Sequence, residues 1–519
     1  MPITRRTLMK TAAASVALSA LARPALADKG RPGIVVAVPA QPDFTDPIMA
    51  NNTPTLRTLY NVYDGLLRLD YNDNLKVVPA LAQSWRMLNP TTLEFALRPN
   101  VKFHDGSTMT ADDVVFSLSE ARRKGPEGKG ATVAAQYQRT IDNVVATDGR
   151  TVQITTKAPD PALEKKLAAW ACQIVSRAAF EKAGSWQAWF QAPIGTGPYK
   201  IRENRKDVGL ILEAHDDYWG GRPPFQRIEF RVVPESASRV NGLLAGDYDL
   251  ISDLPRDQFD AIGANDALDL LGGAILNMRI LAIDTTAPWL SDPNIRRAMS
   301  LAIDRELIVK QLWADRIAVP NGAQYPIFGD VYIPQFPAVG YDPKRATELV
   351  KASGYGGEPI PYRLLNNWYP NQVLTAQVLA EMWKTVGLNV TLQPMENFSQ
   401  VYQKPIGAVW DESIVPAWPD PTAMVWRQYG PGGGLNKLAI WNSPEYQQIG
   451  VQFEQSTDSD ARRKLQQRSL DIIADQVPFI ILHSNGGFYA KKRTVAWAPY
   501  PALPMDFGPF NPATDLRGI

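Results

Sequence analysis

Alternating apolar and polar residues predict strands at several points of the chain. Residues 93–97 and 151–155 alternate as half-buried strands do, whereas the apolar run 33–38 is typical of a buried strand. Apolar residues at helical spacing along 295–313 predict one amphipathic helix. A strand, helix, strand unit is predicted at residues 362–365, 371–386 and 388–392. This mixture indicates an α/β protein with more than one sheet.

The N-terminus has the pattern of an export signal. Basic residues, including Arg5 and Arg6, precede an apolar run over 11–22, and an Ala-Leu-Ala sequence ends at Ala27. Paired arginines before such a run are typical of twin-arginine export. The run is shorter than the roughly 20 residues of a membrane span. We expect residues 1–27 to be a signal peptide cleaved after about Ala27, leaving a soluble periplasmic protein; the alternative is an amphipathic helix of a cytosolic protein.

Charge and length narrow the class of protein. The formal net charge is +1, and removal of the signal, which contains four basic residues and no acid, changes it to −3. So balanced a chain lacks the basic surface that nucleic-acid binding requires, and we expect no nucleic-acid partner. The only cysteine is Cys172, so no intramolecular disulfide can form. A mature chain of about 490 residues exceeds what one core usually serves and should divide into two or more lobes.

The residues do not indicate an enzyme. The three histidines, His104, His215 and His483, have no metal-ligand spacing, and neither H-E-x-x-H nor G-x-S-x-G is present. The sequence Gly195-Thr-Gly197 lacks the third glycine of a dinucleotide loop. We therefore expect no cofactor, no metal and no catalytic residue. A secreted hydrolase whose catalytic residues are far apart in sequence is the alternative from a different class.

Several short motifs recur in a characteristic order. They are LYNVYDGL at 59–66, PALAQSW at 79–85, FHDG at 103–106, TADDV at 110–114, GTGPY at 195–199, DYW at 217–219, DPNIRRA at 292–298, AIDR at 302–305 and YDP at 341–343. Together they resemble the family 5 solute-binding proteins of ABC importers, the peptide, nickel and opine type. The matching segments extend through almost the whole mature chain.

The resemblance implies an α/β, two-lobed, periplasmic-binding-protein-like fold of class II, with an extra subdomain inserted in lobe I. The chain would cross between the lobes twice, and the crossing strands would act as a hinge that closes around solute. The partners implied are a solute and the transmembrane permease subunits of an ABC transporter, and the protein would be a monomer. By this analogy lobe I comprises 28–56, 195–284 and 480–519, the insert comprises 57–194, and lobe II comprises 285–479.

The stretch VPAWPDPTAMVW at 415–426 bears on the ligand. Peptide-binding members carry an aspartate for the peptide α-ammonium at the position that is Ala417 here. An ammonium buried without a partner is costly, so this cleft should not select free peptides unless another carboxylate takes over. Asp420 is the obvious substitute, although between two prolines it can instead bond back to its own turn. Trp418 offers a rigid indole for stacking on a ligand.

Other candidate ligand-binding residues come from both lobes. Asn52 and Thr53 precede the first helix, and Asn367 and Trp368 follow a lobe II strand at the end where α/β sheets bind ligands. By the resemblance, Phe398 occupies the position of an aromatic cleft residue.

Arg279 lies between apolar residues near the expected lobe crossing. It can bind a carboxylate or phosphate if it faces the cleft, or it is an exposed strand residue. Amides, aromatic rings and this arginine favour an oligosaccharide- or opine-like solute, with an oligopeptide as the alternative. A periplasmic sensor subunit is a further possibility.

Overall fold

A computed structural model describes residues 30–49, 52–128, 131–366 and 368–514. The predicted signal peptide and Asn367 lie outside these residues. In the described part of the chain, no helix has both the length and the apolar character needed to cross a membrane.

The strands are β1 (Gly33–Val38), β2 (Leu67–Asp70), β3 (Lys76–Pro79), β4 (Ala82–Asn89), β5 (Thr92–Leu97), β6 (Ile141–Asp148), β7 (Thr151–Thr156), β8 (Tyr199–Arg205), β9 (Gly209–Ala214), β10 (Arg227–Val232), β11 (Leu250–Ser252), β12 (Leu268–Ile283), β13 (Ile360–Leu365), β14 (Val390–Met395), β15 (Val409–Ile414) and β16 (Phe479–Lys492).

The helices are α1 (Thr53–Leu59), α2 (Ala111–Ser117), α3 (Glu120–Arg123), α4 (Thr132–Tyr137), α5 (Leu163–Ala168), α6 (Arg177–Ala183), α7 (Trp186–Gln191), α8 (Ser236–Ala245), α9 (Phe259–Gly263), α10 (Pro293–Leu301), α11 (Arg305–Trp313), α12 (Pro343–Ala352), α13 (Gln372–Thr385), α14 (Phe398–Val401), α15 (Val425–Tyr429), α16 (Gly434–Leu438), α17 (Pro444–Gln455) and α18 (Ser459–Gln476).

Most of the predicted elements are confirmed, but the long helix predicted over 295–313 is wrong. The segment forms two helices, α10 and α11, with a break before Arg305. The Asp304 side chain accepts a hydrogen bond from the Leu307 backbone N–H at 2.8 Å and so caps a new helix. The apolar spacing continues across the break, which is why periodicity alone did not detect it.

One ten-stranded mixed sheet runs through both lobes in the order β14-β13-β15-β12-β16-β11-β1-β10-β9-β8. The first half of β12 pairs with the last residues of β16, and the second half pairs with the first residues of β16 and with β15. Two long antiparallel strands are therefore the sheet connection between lobe I and lobe II. The two-lobed α/β fold predicted from the sequence is confirmed, while the domain boundaries stay predictions.

The crossing strands change register between the lobes. Pairing of β12 with β16 is interrupted between Ala274 and Met278. We call residues 274–278 of β12 and 484–487 of β16 the crossing. Just before it, Gly272 has φ +106°, and a Cβ there would lie 1.9 Å from the Gly487 carbonyl oxygen. Glycine is required at this position because only a residue without Cβ allows this approach.

The inserted segment has its own sheets. Strands β4-β5-β7-β6 form an antiparallel four-stranded sheet, and β2 pairs with β3. The apolar residues of this region share one core cluster with lobe I, which includes Phe95, Val152 and Tyr199.

The lobe II sheet is packed on both faces. Val409 and Trp410, adjacent on β15, belong to two different apolar clusters. Strand residues alternate between faces, so β15 is buried on both sides along this part.

Candidate functional site

Polar side chains interrupt these cores where β12 and β15 approach the crossing. Arg279 of β12 lies opposite Ser413 of β15 in the strand register. Asp411 is two residues before Ser413 on β15, so it lies on the same face of the sheet as Arg279. Asn277 and Asn485 are buried at the crossing, and among the described residues their amide oxygens accept no hydrogen bond from the protein. Because buried acceptors are nearly always bonded, these two oxygens are available to a ligand or to water.

Arg279 is bound within the protein. Its guanidinium donates to Asp411, and its charged carbon lies 3.7 Å from the centre of the Tyr369 ring. Tyr362 and Gln372 also donate to the Asp411 carboxylate, at 2.9 and 2.7 Å. Burial alone would lower the pKa of Arg279, but the adjacent Asp411 carboxylate raises it above its usual value. The charge predicted to bind a solute acid group is therefore already neutralised.

Asp420 is also occupied. Its carboxylate accepts from the Thr422 backbone and hydroxyl at 3.0 and 2.7 Å, and it forms an ion pair with buried Arg462. Lys165 of the insert lies 3.8 Å away. These contacts are those of a turn residue in an Asp-Pro sequence. A ligand contact by Asp420 stays a prediction, but its charge is balanced without a ligand.

Trp418 is almost fully buried between lobe II and the insert. Its ring packs edge-on against Tyr137 with centroids 5.3 Å apart, and its indole N–H donates to Thr422 at 3.1 Å. Nearby, Arg139 of the insert pairs with Glu454 of lobe II. Trp418 thus connects lobe II to the insert, and its predicted role in ligand binding stays a prediction.

A groove of about 450 Å³ lies beside this contact. Lys76 and Trp85 of the insert line one side, and Asp330 and Arg462 of lobe II line the other. Its size is within the range of small-molecule sites.

Two of the three aromatic residues predicted in lobe II, Trp368 and Phe398, lie in contact. Trp368 is 56% exposed and its ring meets Phe398 edge-on, with centroids 4.9 Å apart. Phe398 in turn lies 5.4 Å from the ring of Tyr402. We call Trp368, Phe398 and Tyr402 the aromatic ladder. The Tyr402 hydroxyl donates to Glu412 at 2.7 Å, so the ladder ends at a carboxylate.

On the lobe I side, Asn52 has a structural role. Its side chain accepts from the Thr55 backbone and hydroxyl at 3.1 and 2.8 Å and caps α1. Thr53 is the first residue of that helix and is partly buried. The Asn52 side-chain oxygen is thus used by the cap, and ligand contact by either residue stays a prediction.

The histidines bind backbone groups. Gly195 N–H donates to Nδ1 of His104 at 3.3 Å, so Nε2–H of the neutral ring donates to the Gly197 carbonyl at 3.1 Å. Burial lowers the pKa of His104 to about 3 and that of His483 to about 4. Burial also raises the pKa of Cys172 to about 12, so the thiol is not activated. Among the described residues, no group of three or more His, Cys, Asp or Glu could hold a metal ion.

Comparison with known proteins decides the family. The model of the bacterial extracellular solute-binding proteins, family 5 Middle, matches residues 76–436. The chain belongs to this family. It is 25% identical over 497 residues to the Probable ABC transporter periplasmic-binding protein SapA of Escherichia coli, covering 90% of each chain. It is 30% identical over 360 residues to the glutathione-binding protein GsiB of Pectobacterium atrosepticum, covering 68% of this chain and 66% of GsiB.

A solved structure supports the same fold. The periplasmic binding protein DppA of Helicobacter pylori, in complex with the peptide STSA, superposes with a TM-score of 0.80 at 20% identity. The match covers 90% of this chain and 96% of DppA. Family 5 proteins are non-enzymatic, substrate-binding components of ABC transporters, so this chain captures a solute and does not transform it. The binding-protein function predicted from the sequence is confirmed.

Within this family 5 fold, sequence reasoning missed Asp411, Glu412 and Tyr402. The signal was visible in β15, where Asp411 and Glu412 are adjacent acids inside an otherwise apolar strand. A strand buried on both faces rarely contains unpaired charges. Asp411 is explained by Arg279, whereas no lysine or arginine in the described parts of the chain pairs with Glu412.

Proposed function

We propose that this protein captures a polar organic solute between its lobes and delivers it to the transmembrane permease of an ABC importer. The observation that carries the proposal is the crossing, where two long strands join the lobes and their register shifts between Ala274 and Met278. Such strands form a hinge that absorbs a backbone change while both sheet halves stay intact. The polar strand ends and the aromatic ladder beside the crossing then line the cleft.

The charges beside the cleft bear on the solute class. An opine-like acid was expected to bind Arg279, but that guanidinium already pairs with Asp411. Glu412, in contrast, has no cationic partner among the described residues, which favours a solute with positive charge, such as a short peptide. The exposed ring of Trp368 keeps an oligosaccharide as the second candidate, because sugar rings stack on indoles. The names of the relatives agree with peptides, since GsiB is a glutathione-binding protein and DppA was solved with a peptide.

The export route and the oligomeric state are part of the same proposal. Residues 1–27 serve as a twin-arginine signal that is removed after about Ala27, which places the folded protein in the periplasm. The protein acts there as a monomer, as its resemblance to the binding-protein family implies. A periplasmic sensor role differs only downstream. Growth on the solute as sole nutrient would depend on the protein if it serves import, and would not if it only senses.

A thermal-shift screen tests the proposed function. The chain from residue 28 is mixed with oligopeptides, oligosaccharides and opines in separate wells. A solute at 100 times its Kd stabilises the native protein by about 2.7 kcal/mol, enough for a shift of a few degrees. The solute is then recovered and its molecular mass is determined by mass spectrometry. Stabilisation with unchanged solute supports capture, whereas turnover supports the hydrolase and no stabilisation by any class contradicts the proposal.

A further inference from the structure

Glu412 occupies an unusual place in the sheet. It lies on β15, whose neighbours β12 and β13 both pair with it, and it is opposite Ile280 in the β12 register. The residues before and after it on the same face, Trp410 and Ile414, are fully buried in an apolar cluster. Glu412 is nevertheless only partly buried. Its partner Ile280 is two residues along β12 from the crossing, and β13 pairs with β15 only at Val409 and Trp410, so Glu412 lies beyond the last β13 partner.

The carboxylate of Glu412 can accept more hydrogen bonds than the protein donates to it. One oxygen accepts from the Tyr402 hydroxyl at 2.7 Å, the other accepts a long bond, 3.3 Å, from the neighbouring Ser413 backbone, and the Trp410 indole is also close enough to lower the pKa of the carboxyl. An ionised carboxylate can accept about four hydrogen bonds. The closest positive charge on the same strand pair, Arg279, is bound to Asp411.

Burial raises the pKa of Glu412, and it also raises that of Tyr402, which therefore stays a hydrogen-bond donor. Arg279 lowers the pKa of Glu412 only weakly by comparison, because its register partner is Ser413 and neighbouring strand residues point to opposite faces of the sheet. A partly buried carboxylate without a counter-ion is stabilised by any cation that reaches it.

The aromatic ladder gives the second observation. Its three rings form a continuous wall from the exposed Trp368 to the carboxylate, with centroid separations of 4.9 and 5.4 Å. The rings carry no formal charge, but their faces attract cations, more so where water is displaced. Apolar burial does not explain the arrangement, because Trp368 is more than half exposed.

We propose that Glu412 and the aromatic ladder form a subsite for a cationic group of the solute, either an ammonium or a guanidinium. The proposal rests on the solute-capture function above and adds the charge that the solute carries. In this arrangement the cationic group donates to the Glu412 oxygen that does not accept from Tyr402. The aromatic ladder packs against the apolar atoms of the solute next to that cationic group. Glu412 would then supply the carboxylate that Ala417 lacks, from a different strand position.

Isothermal titration calorimetry with four probes tests the subsite. Trialanine offers an ammonium, argininamide offers a guanidinium as well as an ammonium, and N-acetyl-trialanine and maltotriose offer no cation. Each probe is titrated into the exported chain, its Glu412→Gln variant and the control Glu396→Gln. The control removes an exposed carboxylate close to the same α14 helix. Glu412→Gln keeps an oxygen for the Tyr402 hydroxyl, and circular dichroism confirms that it folds.

The expected result is that at least one cationic probe binds the wild type and loses about 30-fold or more in affinity in Glu412→Gln. Glu396→Gln should bind that probe like the wild type, and the acetylated peptide should bind weakly and equally to all three proteins. Loss for argininamide alone would identify a guanidinium, and loss for trialanine an ammonium.

Three results would overturn the subsite and leave solute capture standing. One is tight binding of N-acetyl-trialanine or maltotriose with no preference for the cationic probes. Another is that every cationic probe that binds the wild type binds Glu412→Gln with the same affinity. Failure of both cationic probes to bind the wild type at about 1 mM also overturns it. Failure of solute capture would be seen separately, as absence of stabilisation by every class in the thermal-shift screen.

Discussion

Replacing Asp411 with asparagine should strongly destabilise the protein. The substitution keeps the shape of the side chain but removes its charge and one of its two acceptor oxygens. Asp411 accepts from Arg279, from the Tyr362 hydroxyl at 2.9 Å and from Gln372 at 2.7 Å. Both members of the ion pair are about 97% buried. Asparagine would therefore leave the Arg279 guanidinium in the sheet with no counter-ion.

The magnitude follows from that unpaired charge. Breaking a buried ion pair from one side costs about 3–5 kcal/mol, because the remaining charge is neither solvated nor balanced. This is a large part of the roughly 5–15 kcal/mol by which native proteins are stable. Removing both charges, with Arg279→Met and Asp411→Leu together, should cost less than Asp411→Asn because no unpaired charge remains, and the remaining cost comes from Tyr362 and Gln372, which lose their acceptor.

Urea unfolding followed by tryptophan fluorescence measures these differences. The control is Glu381→Gln, which removes a carboxylate from an exposed ion pair with Lys384 and should leave the midpoint unchanged. A loss of less than about 1 kcal/mol for Asp411→Asn would refute the reasoning. It would mean that Asp411 does not hold Arg279, and the guanidinium would again be a candidate for binding an acidic solute.

Three further predictions follow from the fold and the site. The pKa of His104 is lowered to about 3, so on acidification the unfolded chain takes up this proton at a higher pH than the native protein does. The free energy of unfolding should therefore fall by up to about 1.4 kcal/mol per pH unit from about pH 6.5 towards pH 3. Urea midpoints should depend less on pH in His104→Gln. Trp418→Ala should weaken solute affinity more than tenfold by calorimetry, because it removes the packing of lobe II on Tyr137 of the insert; an unchanged affinity would remove Trp418 from the site. Gly272→Ala should lower the melting temperature sharply through its 1.9 Å clash, whereas Gly273→Ala, with its nearest contact at 3.5 Å, should not.

The architecture could be predicted because periodicity and ordered motifs record it directly. The alternation at 93–97 and 151–155 became β5 and β7, and the predicted strand, helix, strand unit became β13, α13 and β14. The helix over 295–313 failed because one side chain, Asp304, starts a new cap while the apolar spacing continues.

The site was less predictable because its roles depend on partners far away in sequence. Arg279 and Asp411 are 132 residues apart, and only the β12–β15 register brings them together. The two flanking prolines indicate that Asp420 can bond to its own turn, as its bonds to Thr422 show, but nothing near it in the sequence indicates its ion pair with Arg462. The sequence shows Glu412 as an acid in an apolar strand. Nothing close to it in the sequence distinguishes it from the adjacent Asp411, which has an ion-pair partner.

If the lobes close around solute, the distance between them shortens when solute binds, and that distance can be measured. Spin labels are placed on cysteines introduced at the exposed residues Lys206 of lobe I and Lys384 of lobe II. The native Cys172 is buried and its thiol unreactive, so labelling is specific. Pulsed electron paramagnetic resonance is recorded with and without the solute found in the thermal-shift screen. We expect a broad distribution of distances without solute and a narrower distribution at shorter distances with it. An identical distribution at saturating solute would contradict closure as the mechanism of capture.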